Sequence, residues 1–316
     1  MPSNRFILHR LLQMLVVLIG TITVLFLVIY LMVPGDAAQV ALGDHATPEA
    51  LDTLRHELGI DQPLWKQYGI YLSRLAHLDL VTSYELKRSV GGIILDHLPA
   101  TIYLTAAALI LETVFGIGWG MLLTLRRSRR LRAISVAGGA VLLALPVFFL
   151  GLVLQYIFAS RLGILPISGT GGWNPLNLIL PAVTLAAAQT AIIAAVSRSS
   201  LSAEMEKSYI LAARARGLSR SQAMWRHAFR NSFAPVATLL AIDFGTLLGG
   251  AMITEIVFSW PGLGRMTYFA AESRDVPLVV GSVLVLVTIF VIVNTGVDII
   301  YGWLDPRVRA GEGVNG

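Results

Sequence analysis

Long apolar runs are the feature that most limits how this chain can fold. A helix needs about 20 mostly apolar residues to cross the roughly 30 Å hydrocarbon core of a bilayer. Six runs meet this requirement, and they predict spans over residues 11–33, 100–125, 133–160, 176–196, 236–258 and 278–302. With only 14% charged residues, the chain has too little charge to cover a soluble globule. We therefore predict an all-α membrane protein with six transmembrane helices in one domain, residues 1–316.

Two prolines fall inside predicted spans. Pro146 lies in the third span and Pro181 in the fourth. Neighbouring helices can satisfy the backbone groups that a proline frees within a membrane protein. We therefore expect both prolines to kink their helices without breaking them.

The distribution of positive charge predicts the orientation in the membrane. Cytoplasmic loops carry an excess of Lys and Arg. Of the 24 Lys and Arg residues, 16 fall in the N-terminal segment, in the connections after the second and fourth spans, and in the C-terminal segment. Both termini are therefore predicted to be cytoplasmic. Two hydrophilic insertions result, an outer one over residues 34–99 and a cytoplasmic one over residues 197–234.

Several kinds of chemistry are absent from the sequence. The chain has no cysteine, which excludes thiolate catalysis and Cys-ligated metals. None of its three lysines belongs to a Gly-x-x-x-x-Gly-Lys-Ser/Thr phosphate-binding loop. His56 and Glu57 begin a zinc-protease pattern, but Ile60 replaces its second histidine. We predict no catalytic residue, no metal site and no bound cofactor in this chain.

Two acidic residues lie deep in predicted spans, Glu112 in the second and Asp243 in the fifth. Each would cost about 2.5 to 3.5 kcal/mol at the centre of a membrane helix, so both should face protein or water. One interpretation makes them residues of a translocation pathway or gate. The alternative is a structural role in helix packing. Glu255 lies nearer a helix end, where we expect an interfacial anchor.

The cytoplasmic insertion has the most informative pattern. Its first helix is predicted over residues 201–217, where Gly217 supplies a left-handed stop. One apolar stripe of this helix would comprise Leu201, Met205, Tyr209 and Ala212. Ser219 and Gln222 have the spacing of a capping box and predict the start of a second helix. The product is a helix, a tight turn and another helix between two spans.

Three interpretations of this insertion compete. A solvated basic loop would not need paired amphipathic helices or a glycine at the turn. A DNA-binding helix-turn-helix fits the arginines, but both ends are tethered to the membrane, so we expect no nucleic-acid partner. A docking element for a cytoplasmic protein fits best. Small side chains let a short helix enter a groove, and arginines at its rim can meet acidic groups.

The stretch Ala212-Ala213-Arg214-Ala215-Arg216-Gly217 resembles the EAA loop of permease subunits of binding-protein-dependent ABC importers. That signature reads Glu-Ala-Ala, three residues and Gly, and Leu211 stands where Glu is usual. Four further stretches resemble the dipeptide, oligopeptide and nickel branch of the family: residues 58–68, 98–101, 255–264 and 304–307. The resemblance implies the type I ABC importer permease fold, with a helical outer segment and cytoplasmic coupling helices. It also implies the first of two permease subunits.

The resemblance implies partners as well. The chain would work with a second homologous permease, one or two ABC ATPase subunits that bind ATP and Mg, and an extracytoplasmic solute-binding protein. It would lie as a multi-pass protein in the lipid bilayer of a bacterial or archaeal cytoplasmic (inner) membrane. Ala212, Ala213 and Gly217 would form the turn that couples it to the ATPase, with Arg214 and Arg216 as flanking contacts.

The substrate class implied by the resemblance is di- or oligopeptides, moved by alternating access. Nickel, a metal chelate and glutathione are alternatives within the same branch. An ion-driven secondary transporter that uses Asp243 or Glu112 as its ion site is an alternative from another class, and a membrane scaffold without transport activity is a third.

Overall fold

The computed structural model describes residues 4–32, 47–58, 62–77, 80, 82–126 and 128–304. Helices dominate these residues, and the one strand-like feature among them is an isolated antiparallel bridge between Thr82 and Ser89. The predicted all-α class is confirmed. Parts of three predictions lie outside the described residues: residue 33 of the first span, residues 34–46, 59–61, 78–79 and 81 of the outer segment, and residues 305–307 near the C-terminus.

The helices are numbered here in chain order. They are α1 (Asn4–Met32), α2 (Pro48–Leu58), α3 (Leu64–Ala76), α4 (Val90–Leu125), α5 (Arg129–Ala144), α6 (Val147–Leu154), α7 (Pro175–Glu204), α8 (Ser208–Ala215), α9 (Arg220–Ala223), α10 (Phe229–Val257), α11 (Leu263–Glu272) and α12 (Val276–Leu304). A π-helical stretch, Gln155–Arg161, follows α6, and a second one, Met224–Ala228, joins α9 to α10.

Candidate membrane spans fall on all six apolar runs. Within the described residues, α1, α4, α7 and α12 are each long and apolar enough to cross a bilayer. The number is six if each of two bent pairs is one span: Arg129–Ala144 with Val147–Arg161, bent by 107°, and Arg220–Gly245 with Leu247–Val257, bent by 54°. The fourth span is longer than predicted, because α7 continues to Glu204 instead of ending near Val196.

The expectation of a simple kink at Pro146 is wrong. The helix ends at Ala144, and Leu145 has an extended backbone with φ −79° and ψ 128°. A residue that precedes proline is disfavoured in the helical conformation, and here the chain follows that preference and starts a new helix. At Pro181, by contrast, α7 continues without interruption.

The chain divides into two compact units. Unit 1 comprises residues 1–98 and 266–316, and unit 2 comprises residues 99–265. In unit 1, α1 packs along α12, and the ring of Phe26 contacts Tyr68 and Tyr71 of α3. The start of α12 also holds a turn at residues 83–88 through the carboxylate of Asp275. That carboxylate accepts hydrogen bonds from the Ser83 hydroxyl and from the backbone N–H of the next two residues.

In unit 2, α7 packs against α5, α6 and α10. It also lies very close to α4, at two glycines four residues apart. A Cβ on Gly116 would lie 2.7 Å from Ile193 Cγ2, and a Cβ on Gly120 would lie 2.6 Å from Ser197 Cβ. These small residues let the two backbones approach as in other membrane helix pairs.

Candidate functional site

The α8–α9 segment, residues 205–228, folds over a small apolar core. The buried members of this core are Leu201, Met205, Ile210, Ala223, Met224 and Ala228. Met121 and Leu125 at the end of α4 pack against it, as do Leu218 and Phe229. The segment is therefore joined by buried contacts to the ends of α4, α7 and α10.

A turn that begins at Met205 separates α7 from α8. The predicted apolar stripe is buried as far as this residue, but Tyr209 is 37% exposed and Ala212 is exposed as well. The prediction of one continuous helix and one stripe is therefore wrong beyond the turn. The turn changes the helical phase, so Ile210 and Ala213 are the residues that α8 buries.

Polar side chains hold this turn in place. Lys207 Nζ lies 2.6 Å from Glu204 Oε2, and the Tyr209 hydroxyl donates to Glu204 Oε1. Asn231 Nδ2 donates to the same hydroxyl at 3.1 Å. Burial and the contact with Glu204 raise the pKa of Tyr209, so its hydroxyl keeps its proton and acts as a donor. The end of α7, the start of α8 and the start of α10 are thereby tied together.

The C-terminus of α8 is a Schellman motif centred on Gly217. The Leu218 N–H donates to the Ala213 carbonyl at 3.4 Å, and the Gly217 N–H donates to the Arg214 carbonyl at 3.0 Å. Gly217 has φ +97°, and a Cβ there would have open space around it. Its backbone conformation, and not crowding, is what favours glycine here. The predicted helix stop at Gly217 is confirmed.

The predicted capping box is also confirmed. Ser219 Oγ accepts from the Gln222 N–H at 3.2 Å, while the Ser219 N–H donates to Gln222 Oε1 at 2.9 Å. The next residue, Arg220, donates from Nη2 to the Thr124 carbonyl at 2.9 Å. The start of α9 is thus fixed to the end of α4 by a side-chain contact.

One surface of α8 and its turn is open to solvent, and we call it the α8 face. It comprises Leu211, Ala212, Arg214, Ala215, Arg216 and Gly217. Ala213, predicted to share this surface, is only 8% exposed and packs beneath it. Within the described part of the chain, neither Arg214 nor Arg216 forms an ion pair. The site prediction missed Leu211, whose apolar side chain is 55% exposed. Its place at the Glu position of the loop signature was the available signal.

Glu112 and Asp243, the two predicted pathway residues, meet inside unit 2. Glu112 of α4 is fully buried, Asp243 of α10 is 4% exposed, and their carboxyl groups are neighbours. Among the residues that the structure describes, neither oxygen of Glu112 nor Oδ2 of Asp243 has a hydrogen-bond partner. One helical turn away, Ala108, Ala186 and Leu247 form a buried apolar cluster. The pair therefore borders the packed interior of α4, α7 and α10.

Glu255 lies near the C-terminal end of α10, as predicted, but its predicted role as an interfacial anchor is wrong because its side chain is fully buried. Its carboxylate accepts from Thr101 Oγ1 at 2.6 Å and from the Arg265 N–H at 2.8 Å. The same Thr101 Oγ1 accepts from the Leu263 N–H at 2.8 Å. Trp260 is 1% exposed and donates from Nε1 to the Ala100 carbonyl. We call residues 258–265, held in this way, the corner.

These features define a class of protein, a multi-span helical membrane protein that carries an exposed apolar and cationic surface on a buried core. Two family profiles extend this conclusion. The profile described as binding-protein-dependent transport system inner membrane component matches residues 116–310, and the profile of the corresponding N-terminal region matches residues 3–105. The chain belongs to the family of binding-protein-dependent transport system inner membrane components.

Individual relatives cover nearly the whole chain. The dipeptide transport system permease protein DppB of Alkalihalophilus pseudofirmus is 36% identical over 330 residues, covering 96% of this chain and 99% of the relative. The glutathione transport system permease protein GsiC of Escherichia coli strain K12 is 33% identical over 304 residues, covering 96% of this chain and 98% of the relative.

Solved structures show the same fold. An inward-facing structure of the MetNI methionine ABC transporter matches with a TM-score of 0.54 and 18% identity, covering 67% of this chain and 96% of that one. An amino acid ABC transporter matches with a TM-score of 0.51 and 16% identity, covering 69% of this chain and 94% of that one. The type I importer permease fold is confirmed.

Family membership confirms the predicted recognition and class of function. The chain is a permease of a binding-protein-dependent ABC importer of the dipeptide and oligopeptide branch, a multi-pass inner-membrane protein. Its relatives are permease subunits and not ATPases. Such a permease works in general with a partner permease, an ATPase and a binding protein. These findings favour the importer over an ion-driven secondary transporter.

Proposed function

We propose that this chain is the first permease subunit of an importer for di- or oligopeptides. The names of its relatives support this substrate class, since one is a dipeptide permease and the other a permease for glutathione, which is itself a tripeptide. Small peptides are thus the chemistry that the two have in common. Glutathione itself stays an alternative cargo, and nickel or a nickel chelate is a more distant one.

The α8 face is our proposed contact with an ATPase subunit. The observation that carries this proposal is an exposed apolar and cationic surface built on a buried core. Leu211 and Ala212 would enter a groove of the ATPase, and Arg214 and Arg216 would meet acidic groups at its rim. Gly217 would keep the turn narrow enough to fit.

Force applied to this face would reach the membrane helices through contacts that are already formed. Ile210, beneath the face, belongs to the same buried core as Leu201 of α7, and Met121 of α4 packs against that core. The hydrogen bond from Arg220 to the Thr124 carbonyl adds a second link to α4. Because packed cores transmit displacement with little compression, closure of the ATPase would move the ends of α4, α7 and α10 together.

The remaining parts of the machine are proposed from this contact. One or two ABC ATPase subunits would bind ATP and Mg and supply the energy, because this chain has no phosphate-binding loop. The α8–α9 segment and both termini would be cytoplasmic. The outer segment, residues 34–99, would help receive an extracytoplasmic solute-binding protein, and a second homologous permease would complete the pathway.

We keep Glu112 and Asp243 as candidate pathway residues. They lie on α4 and α10, two of the helices joined to the core beneath the α8 face. Movement of that core would separate or shift these helices and so change the exposure of the carboxyl pair. Uptake by Asp243→Asn and Glu112→Gln variants tests this role. Normal uptake in both would assign the pair to helix packing alone.

Reconstituted uptake tests the proposed function as a whole. Vesicles that hold the permease pair and its ATPase, with the cognate binding protein outside, should accumulate labelled dipeptide only when ATP is inside. An excess of unlabelled di- and tripeptides should compete, whereas Ni²⁺ should not. Uptake driven by an ion gradient without ATP, or competition by Ni²⁺ alone, would overturn the proposal.

A further inference from the structure

An open apolar groove of about 710 Å³ runs between α4, α5 and α7 in unit 2. Phe115 and Leu123 of α4, Leu142 of α5 and Ala195 of α7 are among the side chains that line it. None of the residues of α5, all of which the structure describes, is buried. The groove therefore opens outward along the surface of the helices that cross the membrane.

Close contacts establish the register of these helices. A Cβ on Gly139 of α5 would lie 3.3 Å from Ala191 Cβ of α7, and a Cβ on Gly120 of α4 would lie 3.0 Å from the backbone nitrogen of Arg198. Helices α4 and α7 run in the same direction, because Gly116 meets Ile193 and Gly120 meets Ser197, and α5 turns back along α4. Helices α5 and α7 therefore run in opposite directions.

Arg132 lies seven residues before Gly139, and Arg198 lies seven residues after Ala191. The two arginines therefore line the same end of the groove, about 10 Å from the Gly139 contact.

This end of the groove is the one beside the α8–α9 segment. Thr124, in the last turn of α4, receives the hydrogen bond from Arg220. Arg132 is exposed and Arg198 half-buried, and in the part of the chain that the structure describes neither forms an ion pair with an acidic side chain. An apolar groove thus ends in two cations that the chain itself does not neutralise.

We propose that the groove binds an anionic phospholipid. An acyl chain would lie along the apolar walls, and the phosphate would lie between Arg132 and Arg198, whose guanidinium groups suit paired hydrogen bonds to phosphate oxygens. Basic pockets between membrane helices on the cytoplasmic side bind anionic headgroups in this way. The proposal rests on the proposed function in one respect, the cytoplasmic position of the α8–α9 segment.

A tryptophan at the same end supports a headgroup at this level. The indole of Trp119, which lines the groove, is 41% exposed and donates from Nε1 to Ser135 Oγ at 3.1 Å. Tryptophan is enriched where membrane helices meet the headgroup region. An apolar helix of another subunit would cover the groove but would offer no negative charge to Arg132 and Arg198. A lipid supplies the apolar chain and the negative charge in one molecule.

Retention of lipid by the assembled transporter tests the proposal. The complex is purified from membranes that contain phosphatidylglycerol and phosphatidylethanolamine, washed in detergent, and its lipids are quantified by mass spectrometry. We expect the unaltered complex to retain phosphatidylglycerol preferentially. Arg132→Gln combined with Arg198→Gln should lower this retention about thirtyfold, since both favourable charges are lost.

A second variant blocks the groove itself. Gly138 lines the groove and a Cβ there has open space, so Gly138→Leu should displace the acyl chain without disturbing the helices. Gly118→Leu is the matched control, because Gly118 of α4 is equally open but does not line the groove. It should retain the lipid.

Two results would overturn the proposal. One is equal retention of phosphatidylglycerol in the arginine variant, the Gly138→Leu variant and the unaltered complex. The other is loss of the second permease from the Gly138→Leu complex, which would make the groove a subunit interface. Failure of peptide uptake with lipid retention intact would instead contradict the proposed function and leave the lipid site supported.

Discussion

The two ends of α10 carry turns of opposite design. At one end lies the α8 face, where an apolar side chain and two arginines are exposed at the surface. At the other lies the corner, where Trp260, Leu263 and the carboxylate of Glu255 are fully or almost fully buried. Both turns depend on glycine, but for different reasons. Gly217 is needed for its positive φ, whereas Gly262 is needed because Glu255 occupies the space beside it, and Gly264 because Met252 and Glu255 do.

The difference separates a turn built for stability from one built for contact. The Glu255 carboxylate is hydrogen-bonded to Thr101 and to the Arg265 N–H, and Thr101 also accepts from the Leu263 N–H. These buried groups already have partners, so they offer no free hydrogen-bonding group to a ligand. The α8 face packs on the core beneath it, and within the described residues Arg214 and Arg216 form no ion pair above it. A surface of this kind is free to contact another protein, which is the reason for proposing the docking role at this end.

The largest effect on folding is expected at the corner. A Cβ on Gly264 would lie 2.8 Å from Met252 Cα and 2.9 Å from Glu255 Oε2, so Gly264→Ala forces backbone to move. We expect a loss of about 3 kcal/mol in the free energy of unfolding. Thermal unfolding of the purified protein in detergent measures it. Gly118→Ala, on an exposed and open part of α4, is the control and should not lower the melting temperature. Equal melting temperatures for the two variants would show that the corner is not closely packed.

A large effect on assembly, without one on folding, is expected from charge reversal on the α8 face. Arg214→Glu combined with Arg216→Glu should weaken ATPase binding about thirtyfold, because two favourable rim contacts become repulsive. Binding of the purified ATPase to the permease pair gives the affinity. Arg129→Glu combined with Arg130→Glu, which are exposed at the start of α5, controls for net charge. If both double variants bind alike, the arginines of the face have no specific role.

A smaller effect is expected from Leu211→Ala. This change removes apolar surface from the proposed contact and should weaken ATPase binding about fivefold, with the melting temperature unchanged. Leu162→Ala is a closely matched control, since Leu162 is 57% exposed and Leu211 55% exposed. An unchanged affinity for Leu211→Ala would place this side chain outside the contact.

The sequence predicts local features of the molecule well. Apolar runs locate the spans because length and composition alone decide whether a helix can cross a bilayer. Gly217 and the Ser219–Gln222 capping box are predicted because helix ends follow from the chemistry of a few neighbouring residues.

Features that depend on tertiary contacts escape the sequence. The burial of Glu255 depends on Thr101, which is 154 residues away in the chain. The turn after Met205 interrupts an apolar stripe that continues in the sequence, and the contact between Glu204 and Tyr209 that holds it becomes visible only in the structure. At Pro146 two local rules conflict, and the extended preference of the preceding residue prevails.

The most direct test of the central claim is Gly217→Asp beside Gly172→Asp. Both glycines have positive φ, both are exposed and both have open space for a side chain, but Gly172 lies in the loop before α7, far along the chain from the α8 face. Asp tolerates this backbone conformation better than most residues, so both variants should insert and fold. Copurification of the ATPase and ATP-dependent uptake are measured for each. We predict that Gly217→Asp loses one or both while Gly172→Asp retains them, and normal assembly and uptake with Gly217→Asp would contradict the coupling role of the α8 face.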